Sequence, residues 1–295
     1  MQPEQLMRAA APLASSVEAL AALAAYLRVE TEGIAVEPAV HDLLREISVA
    51  VAGDDPRAAG PMGTQVVGMT RAFLAQSAEL VADPGRAVGW EPDDETLLQG
   101  IGRVSGAIGP VMQSVSGSLE GMAEALAAPG AAWLDVGTGC GWLAIALARC
   151  FPAARVVGLD IYDRVLPLAQ RNVAEAGLAD RVEIRRQDVT ALTEEAIYDA
   201  IWLPLPFLPK AIVPGAIAAS VRALKPGGWL LPGGFAGPPD ALAQLLCDLR
   251  TVRAGGHPWR AAEIVPELSA AGLEHAHEIE RRWAAPVCLF AARKP

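Results

Sequence analysis

The 295-residue chain predicts an α/β fold, a largely parallel sheet with helices on both faces that ends in an antiparallel hairpin and is preceded by an all-helical region. Three observations predict it. At Ala131 the apolar pattern changes from three- and four-residue spacing to short apolar runs alternating with helical segments. Glycines at alternate positions, Gly137, Gly139 and Gly141, follow directly on one of those runs. The last two runs are joined by only a few residues, too few for a parallel crossover, so they must pair antiparallel.

The first part, residues 1–128, reads as helices. Glu4 to Arg28 carries Leu6, Leu13, Val17, Leu20, Leu23 and Leu27 at helical intervals. Pro38 to Val51 places Val40, Leu43, Leu44 and Ile47 on one face and stops at the breakers Gly53-Asp-Asp-Pro56. Thr64 to Val81 is a third helix, Ala82 to Asp94 a loop, and Glu95 to Leu126 a helical region broken near Gly109-Pro110. In residues 129–295 the strands are Ala132–Val136, Arg155–Asp160, Arg181–Gln187, Ala200–Pro204 and Trp229–Leu231, with helices at Gly141–Cys150, Asp163–Ala176 and Lys210–Leu224. Leu273–Arg282 and Pro286–Arg293 form the hairpin.

Composition bounds the function. Hydrophobic residues make up 52% and charged residues 20%, enough apolar material for a core and too much for a disordered chain. The length suits one large or two modest domains at roughly 150 residues each. Cys140, Cys150, Cys247 and Cys288 follow no zinc or disulfide spacing, so reduced thiols in a cytosol are expected and no metal site is. Residues 1–128 hold 17 acidic against 7 basic residues, and residues 129–295 hold 17 of each, so the whole net charge of −10 lies in the first part. A nucleic-acid binder needs a basic footprint, and neither part has one; anionic membrane surfaces are disfavoured on the same ground. No uncharged apolar run reaches the ~18 residues of a membrane span. Met1-Gln-Pro-Glu4 lacks a basic leader segment and Glu18 interrupts the apolar stretch that follows, so no signal peptide is expected.

Chemistry concentrates in Trp133-Leu-Asp-Val-Gly-Thr-Gly-Cys-Gly-Trp142. A buried strand ends, three glycines allow a sharp turn with close main-chain approach, and a helix opens with free N–H groups. In open parallel sheets ligands bind at the carboxyl ends of the strands. Two more carboxylates fall there. Asp160 ends the second strand, nineteen residues after Gly141, and can accept from both hydroxyls of a ribose. Asp188 ends the third, in Arg186-Gln187-Asp188-Val189, and can accept from an exocyclic amine such as adenine N6. The set points to a nucleoside with a polar tail. A nicotinamide enzyme usually shows Gly-x-Gly-x-x-Gly, and here the third glycine comes one residue early.

Leu134-Asp-Val-Gly-Thr-Gly-Cys-Gly141 closely resembles the first motif of class I S-adenosylmethionine-dependent methyltransferases, and the resemblance covers about Ala131 to Lys294. It implies a Rossmann-like, seven-stranded class I methyltransferase sheet and S-adenosyl-L-methionine as cofactor. It implies that Gly137, Thr138, Gly139 and Gly141 line the methionine part, with Asp135 orienting the loop or reaching the amino group through water. It implies that Asp160 holds the ribose, that Ile161 lies against the adenine with Gln187, Asp188 and Val189 around it, and that Leu203 sits beside the sulfonium. Amino-directed members often carry Asn/Asp-Pro-Pro-aromatic after the fourth strand. This chain has Leu203-Pro-Leu-Pro-Phe207, with an apolar residue at the polar position, which argues against adenine or glutamine N-methylation.

A second resemblance, over Cys247 to Glu274, is to plant-type and antibiotic-biosynthesis small-molecule O-methyltransferases, enzymes of secondary metabolism. It implies that residues 1–128 cap the pocket and form a dimer. The family's base histidine has no counterpart in Leu208 to Ala219. Among His41, His257, His275 and His277, only His257, on the loop Gly255-Gly-His-Pro-Trp259, is a candidate catalytic base, with Glu263 to orient it. Gln113 and Arg103 are positional candidates for the cofactor carboxylate. The expectation is a methyltransferase for a small-molecule or short-peptide acceptor, O-methylation first. Carbon methylation, or a non-methylating cofactor binder or cyclase on the same fold, is the alternative.

Overall fold

The computed structural model describes residues 3–295; Met1 and Gln2, where the search for a leader begins, lie outside the described residues. The chain forms two compact units. One is the chain up to Pro84 plus Gln99–Val104, and the other is Gly85–Leu98 plus Ser105–Pro295.

The first unit holds α1 (Pro3–Glu32), α2 (Pro38–Ala52), α3 (Pro61–Ala82) and the middle of α4 (Glu95–Gly106). α1 runs past Arg28 because Arg28 pairs with Glu32 one turn on, at 2.7 Å, and Gly33 turns left-handed (φ 66°) just after it. Gly53 caps α2 the same way, φ 82°, with its N–H on the Val49 carbonyl at 2.8 Å. α3 and α4 cross glycine against glycine, since a Cβ on Gly68 would lie 3.0 Å from the Gly100 carbonyl oxygen. Ala24, Leu27 and Val67 form this unit's small core. The apolar faces of α1 and α2 are largely bare: Leu6, Leu13, Val17, Val40, Leu43 and Ile47 are exposed. Counting uncharged runs missed a further property of α1. By length and composition alone, Glu4–Glu32 is apolar enough to cross a membrane.

The second unit contains α5 (Ile108–Ser116), α6 (Met122–Ala127), β1 (Ala132–Val136), α7 (Trp142–Cys150), β2 (Arg155–Asp160), α8 (Val165–Glu175) and β3 (Val182–Arg186). These are followed by β4 (Tyr198–Pro204), α9 (Val213–Ala223), β5 (Leu224–Phe235), α10 (Ala241–Arg253), α11 (Ala261–Ala270), β6 (Glu274–Ile279) and β7 (Val287–Arg293). The seven strands order as β3-β2-β1-β4-β5-β7-β6. β1 to β5 are parallel, while β7 runs antiparallel between β5 and β6, as the short final link requires. Successive residues of β1 feed opposite faces. Trp133 joins Met112, Leu126 and Leu147 under α5, α6 and α7; Leu134 joins Ile201, Ile217 and Leu268 under α9 and α11.

Three sequence readings are corrected. The sheet-bearing unit begins well before residue 129, because Val111, Met112, Val115, Leu119, Met122 and Leu126 are part of the sheet's core. The break in the helix after α4 falls at Ala107 rather than Gly109-Pro110. Pro110 occupies the first turn of α5, where its missing N–H costs nothing, and a Cβ on Gly109 would lie 2.6 Å from that of Ala146. β5 is much longer than Trp229–Leu231. Gly233 is a strand residue under the Trp202 ring, where a Cβ would come within 2.1 Å.

Candidate active site

The carboxyl ends of β3, β2, β1 and β4 form one edge, and the glycine loop sits at its middle. Gly137, Gly139 and Gly141 all adopt left-handed φ, of 64°, 55° and 78°. Their surroundings differ. A Cβ on Gly137 would lie 3.0 Å from Pro204 at the end of β4, and one on buried Gly141 3.2 Å from the Ala169 Cβ on α8. One on Gly139 would meet nothing within 4 Å. Gly139 therefore faces open space, and Gly141 serves to pack α7 on α8.

Asp160 binds the loop from β2. Its Oδ2 accepts the Gly139 N–H at 2.8 Å and its Oδ1 accepts the Tyr162 N–H at 2.9 Å. Burial pushes its carboxyl above the ordinary range, opposed by these N–H groups. The Ile161 N–H also bonds this carboxylate, which with about four acceptor sites keeps room for a ligand hydroxyl. Ile161 beside it is 64% exposed, an apolar side chain left bare at the crevice. The Gln187 N–H donates to the Asp160 carbonyl at 3.0 Å, which brings the end of β3 alongside. Exposed Asp188 caps the following turn, its Oδ1 accepting the Thr190 N–H and hydroxyl, both at 2.8 Å.

Asp135 lies behind the loop, 1% exposed. Its Oδ2 accepts the Thr138 hydroxyl at 2.7 Å and its Oδ1 has no partner. Burial pushes its carboxyl up to about 7. Thr138 itself is buried, and its N–H donates to the Leu159 carbonyl at 2.8 Å. Asp135 and Thr138 thus fix the loop from within. Three of the expected contacts need correction, and a fourth candidate lies in the other unit. Leu203 is fully buried in the core, so its side chain faces no crevice. Val189 is buried in the same core and leaves at most its main chain near an adenine. Gln113 donates to the Cys150 carbonyl at 3.1 Å, at the end of α7 opposite the glycine loop. Arg103 belongs to the first unit.

The candidate catalytic pair is in contact. His257 Nε2 lies 3.1 Å from Glu263 Oε1, and Lys210 Nζ lies 3.2 Å from the same nitrogen. The His257 hydrogen bond holds the Glu263 carboxyl below the usual range, helped by the Arg260 N–H and Lys210. The Trp259 ring packs on both, 5.0 Å from the imidazole and 5.2 Å from the ammonium. The loop rests on the turn after β4, where a Cβ on Gly256 would lie 2.2 Å from the Pro206 oxygen. His257 also lines a cavity of about 230 Å³ at the carboxyl end of β5, walled by Phe235, Cys247, Trp259 and Phe290. His275 and His277 are exposed on edge strand β6, and His41 is paired with Glu30 at 2.8 Å on α2. Among the described residues no three His, Cys, Asp or Glu side chains converge as a metal site, and all four cysteines are free.

The sequence reading missed an aromatic group at this edge. Phe207, after β4, meets Trp90 at 5.0 Å and Phe235 at 5.7 Å, both edge to face. Three half-buried rings in a chain that is 5% aromatic are a concentration visible only in three dimensions.

Residues 134–228 match a family described as "Methyltransferase domain". Over 116 residues the chain is 39% identical to the release factor glutamine methyltransferase of Cereibacter sphaeroides, covering 39% of this chain and 41% of that one. Over 100 residues it is 39% identical to the ubiquinone biosynthesis O-methyltransferase of Paracidovorax citrulli, covering 33% and 40%. The chain spans less than half the length of the curated relatives it matches. An O-methyltransferase family protein from Burkholderia thailandensis has the same fold, with a TM-score of 0.68, 16% identity, and 100% of this chain and 98% of that one covered.

Proposed function

We propose that this chain, whose residues 134–228 match a methyltransferase domain and whose sheet has the order described above, transfers a methyl group from S-adenosylmethionine to an oxygen of a small molecule or short peptide. The observation that carries the reading is the Asp160–Gly139 hydrogen bond beside the open space in front of Gly139. A ribose on the remaining lone pairs of Asp160 leaves the amino-acid tail over the loop and the adenine over Ile161, within reach of Asp188. The cofactor supplies a methyl already activated on a sulfonium, and the chain's residues bind it, align the acceptor and exclude water.

Oxygen is preferred over nitrogen because the end of β4 offers no polar side chain to hold an amide. Leu203 is buried and apolar, and prolines and Leu205 follow it. This separates the proposal from the activity named for the glutamine-directed relatives. A hydroxyl acceptor gains from a base. His257, with Glu263 on its ring, is that base, and the acceptor enters the cavity it lines. The bare apolar residues of α1 and α2 support self-association through the first unit, which light scattering reads as a dimer mass.

One observation favours a second reading. Glu263 accepts from His257 Nε2 in the tautomer that leaves Nδ1 basic, whereas Lys210 donates to the same nitrogen only in the tautomer that puts the proton on Nδ1, and in that second arrangement the ring keeps no free basic nitrogen. A protein that binds the cofactor without transferring methyl fits that arrangement. Methyl-labelled S-adenosylmethionine, incubated with phenols, carboxylic acids and peptides, separates the two. Label in an acceptor supports transfer, and cofactor bound but never consumed supports the second reading.

A further inference from the structure

Residues 86–98 belong to the sheet-bearing unit and contact α10, α8 and the segments that follow β4, β1 and β2. Near α10, Gly89 donates its N–H to the Arg253 carbonyl at 3.0 Å, and the Arg86 guanidinium donates to the carbonyls of Gly89 and Arg253 at 3.1 and 3.3 Å. One residue on, Trp90 packs against Phe207 just after β4. Two residues further, the Pro92 carbonyl accepts the Tyr162 hydroxyl just after β2, at 3.1 Å. Asp93 pairs with Arg164 at 3.2 Å, Glu95 pairs with Arg171 of α8, and Leu98 packs on Cys140 of the glycine loop.

Sheet order turns these contacts into a path. β1 lies between β4 and β2. Strands are ~4.8 Å apart, so β4 and β2 lie ~10 Å apart with β1 between them; two residues of chain reach ~7 Å, and the Trp90 and Tyr162 side chains make up the difference. The span from Trp90, held on Phe207 after β4, to Pro92, held by Tyr162 after β2, thus ties together the two sides of the β1 end, from which the glycine loop leaves. Tyr162 links this span to the nucleoside site, because its hydroxyl fastens Pro92 while its own N–H donates to Asp160.

We propose that residues 86–95 form a strap across the cofactor crevice and that Tyr162 is a positioning residue which, by latching the strap, sets how fast the cofactor leaves. The inference rests on the cofactor reading above. A ligand seated on the loop and on Asp160 lies beneath the strap and leaves only when the span over β1 lifts. The latch is one neutral hydrogen bond at Tyr162 and a second anchor at Arg86, which sits at the strap's other end.

The test is stopped-flow binding of S-adenosylhomocysteine to the full chain and to Tyr162→Phe and Arg86→Ala, with a thermal melt of each. Loss of one such bond corresponds to roughly a five- to tenfold faster dissociation. The strap requires that acceleration in both variants, with association unchanged or faster. A merely structural role would lower the melting temperature and leave the dissociation rate alone. Unchanged dissociation in both variants, with the wild type binding, overturns the strap. Acceleration in Tyr162→Phe alone also overturns it, since a local effect on Asp160 would then suffice. A wild type that does not bind S-adenosylhomocysteine overturns the cofactor reading instead.

Discussion

The carboxylate of Asp160 and the N–H of Gly139 meet at 2.8 Å, so the acid that ends β2 also holds the loop that follows β1. Replacing it therefore has two consequences. Asp160→Asn keeps the shape, loses the charge, and is expected to weaken S-adenosylhomocysteine at least tenfold while the protein still melts cooperatively. Calorimetry and a thermal melt together check this, and unaltered affinity contradicts it.

The loop glycines divide by what surrounds them. A side chain costs about 1–2 kcal/mol of left-handed strain at each. At Gly139 it adds a Cβ in empty space, so Gly139→Ala should lose ligand affinity beyond its stability cost. At Gly141 the Cβ presses on Ala169, so Gly141→Ala should lose more stability than Gly139→Ala. Equal melting temperatures for the two variants would refute the division.

Asp135 makes stability depend on pH. Burial raises its folded-state pKa to about 7, whereas the unfolded chain ionises near 4. Between those values the folded state binds more protons, so stability falls as pH rises from about 4 to about 7 and then levels. Asp160, raised in the same direction, adds to the slope. Asp135→Asn removes its share. Melting temperatures across this window should show a shallower decline for the variant, and parallel curves would speak against the assignment.

His257 and Glu263 carry the catalytic proposal. His257→Ala is expected to slow turnover by about 10²–10⁴ with cofactor affinity unchanged, as for a lost general base. Glu263→Gln should act in the same direction but less. An unaltered rate removes His257 from the chemistry.

Gly256 fixes the loop that bears His257. Gly256→Ala would drive a Cβ into the Pro206 carbonyl. The expected cost is about 1–3 kcal/mol of stability, with a fall in turnover from displacement of His257. A melting temperature equal to the wild type's would show that the loop yields freely.

The cofactor edge was legible because its signals are local. A strand, a glycine turn and a helix start fall within Leu134 to Trp142, and Asp160 and Asp188 each end an apolar run. The strand pattern and short final link likewise gave the hairpin of β6 and β7. What the sequence hid depends on tertiary contact. Leu203 reads as a crevice residue from its position and is buried because β4 is central. Gln113 is near the loop in chain order and at the wrong end of α7 in space. Ala82 to Asp94 reads as an ordinary loop, and only the partners of Arg86, Trp90 and Pro92 show its course. The bare faces of α1 and α2 have the spacing of buried ones, since periodicity records which side is apolar and not what covers it.

Titration calorimetry with S-adenosylhomocysteine tests the central claim most directly. The wild type should bind one molecule per chain, and Asp160→Ala and Gly139→Val should remain folded and bind none. A wild type that takes up no ligand, or two variants that bind as tightly as the wild type, would contradict it.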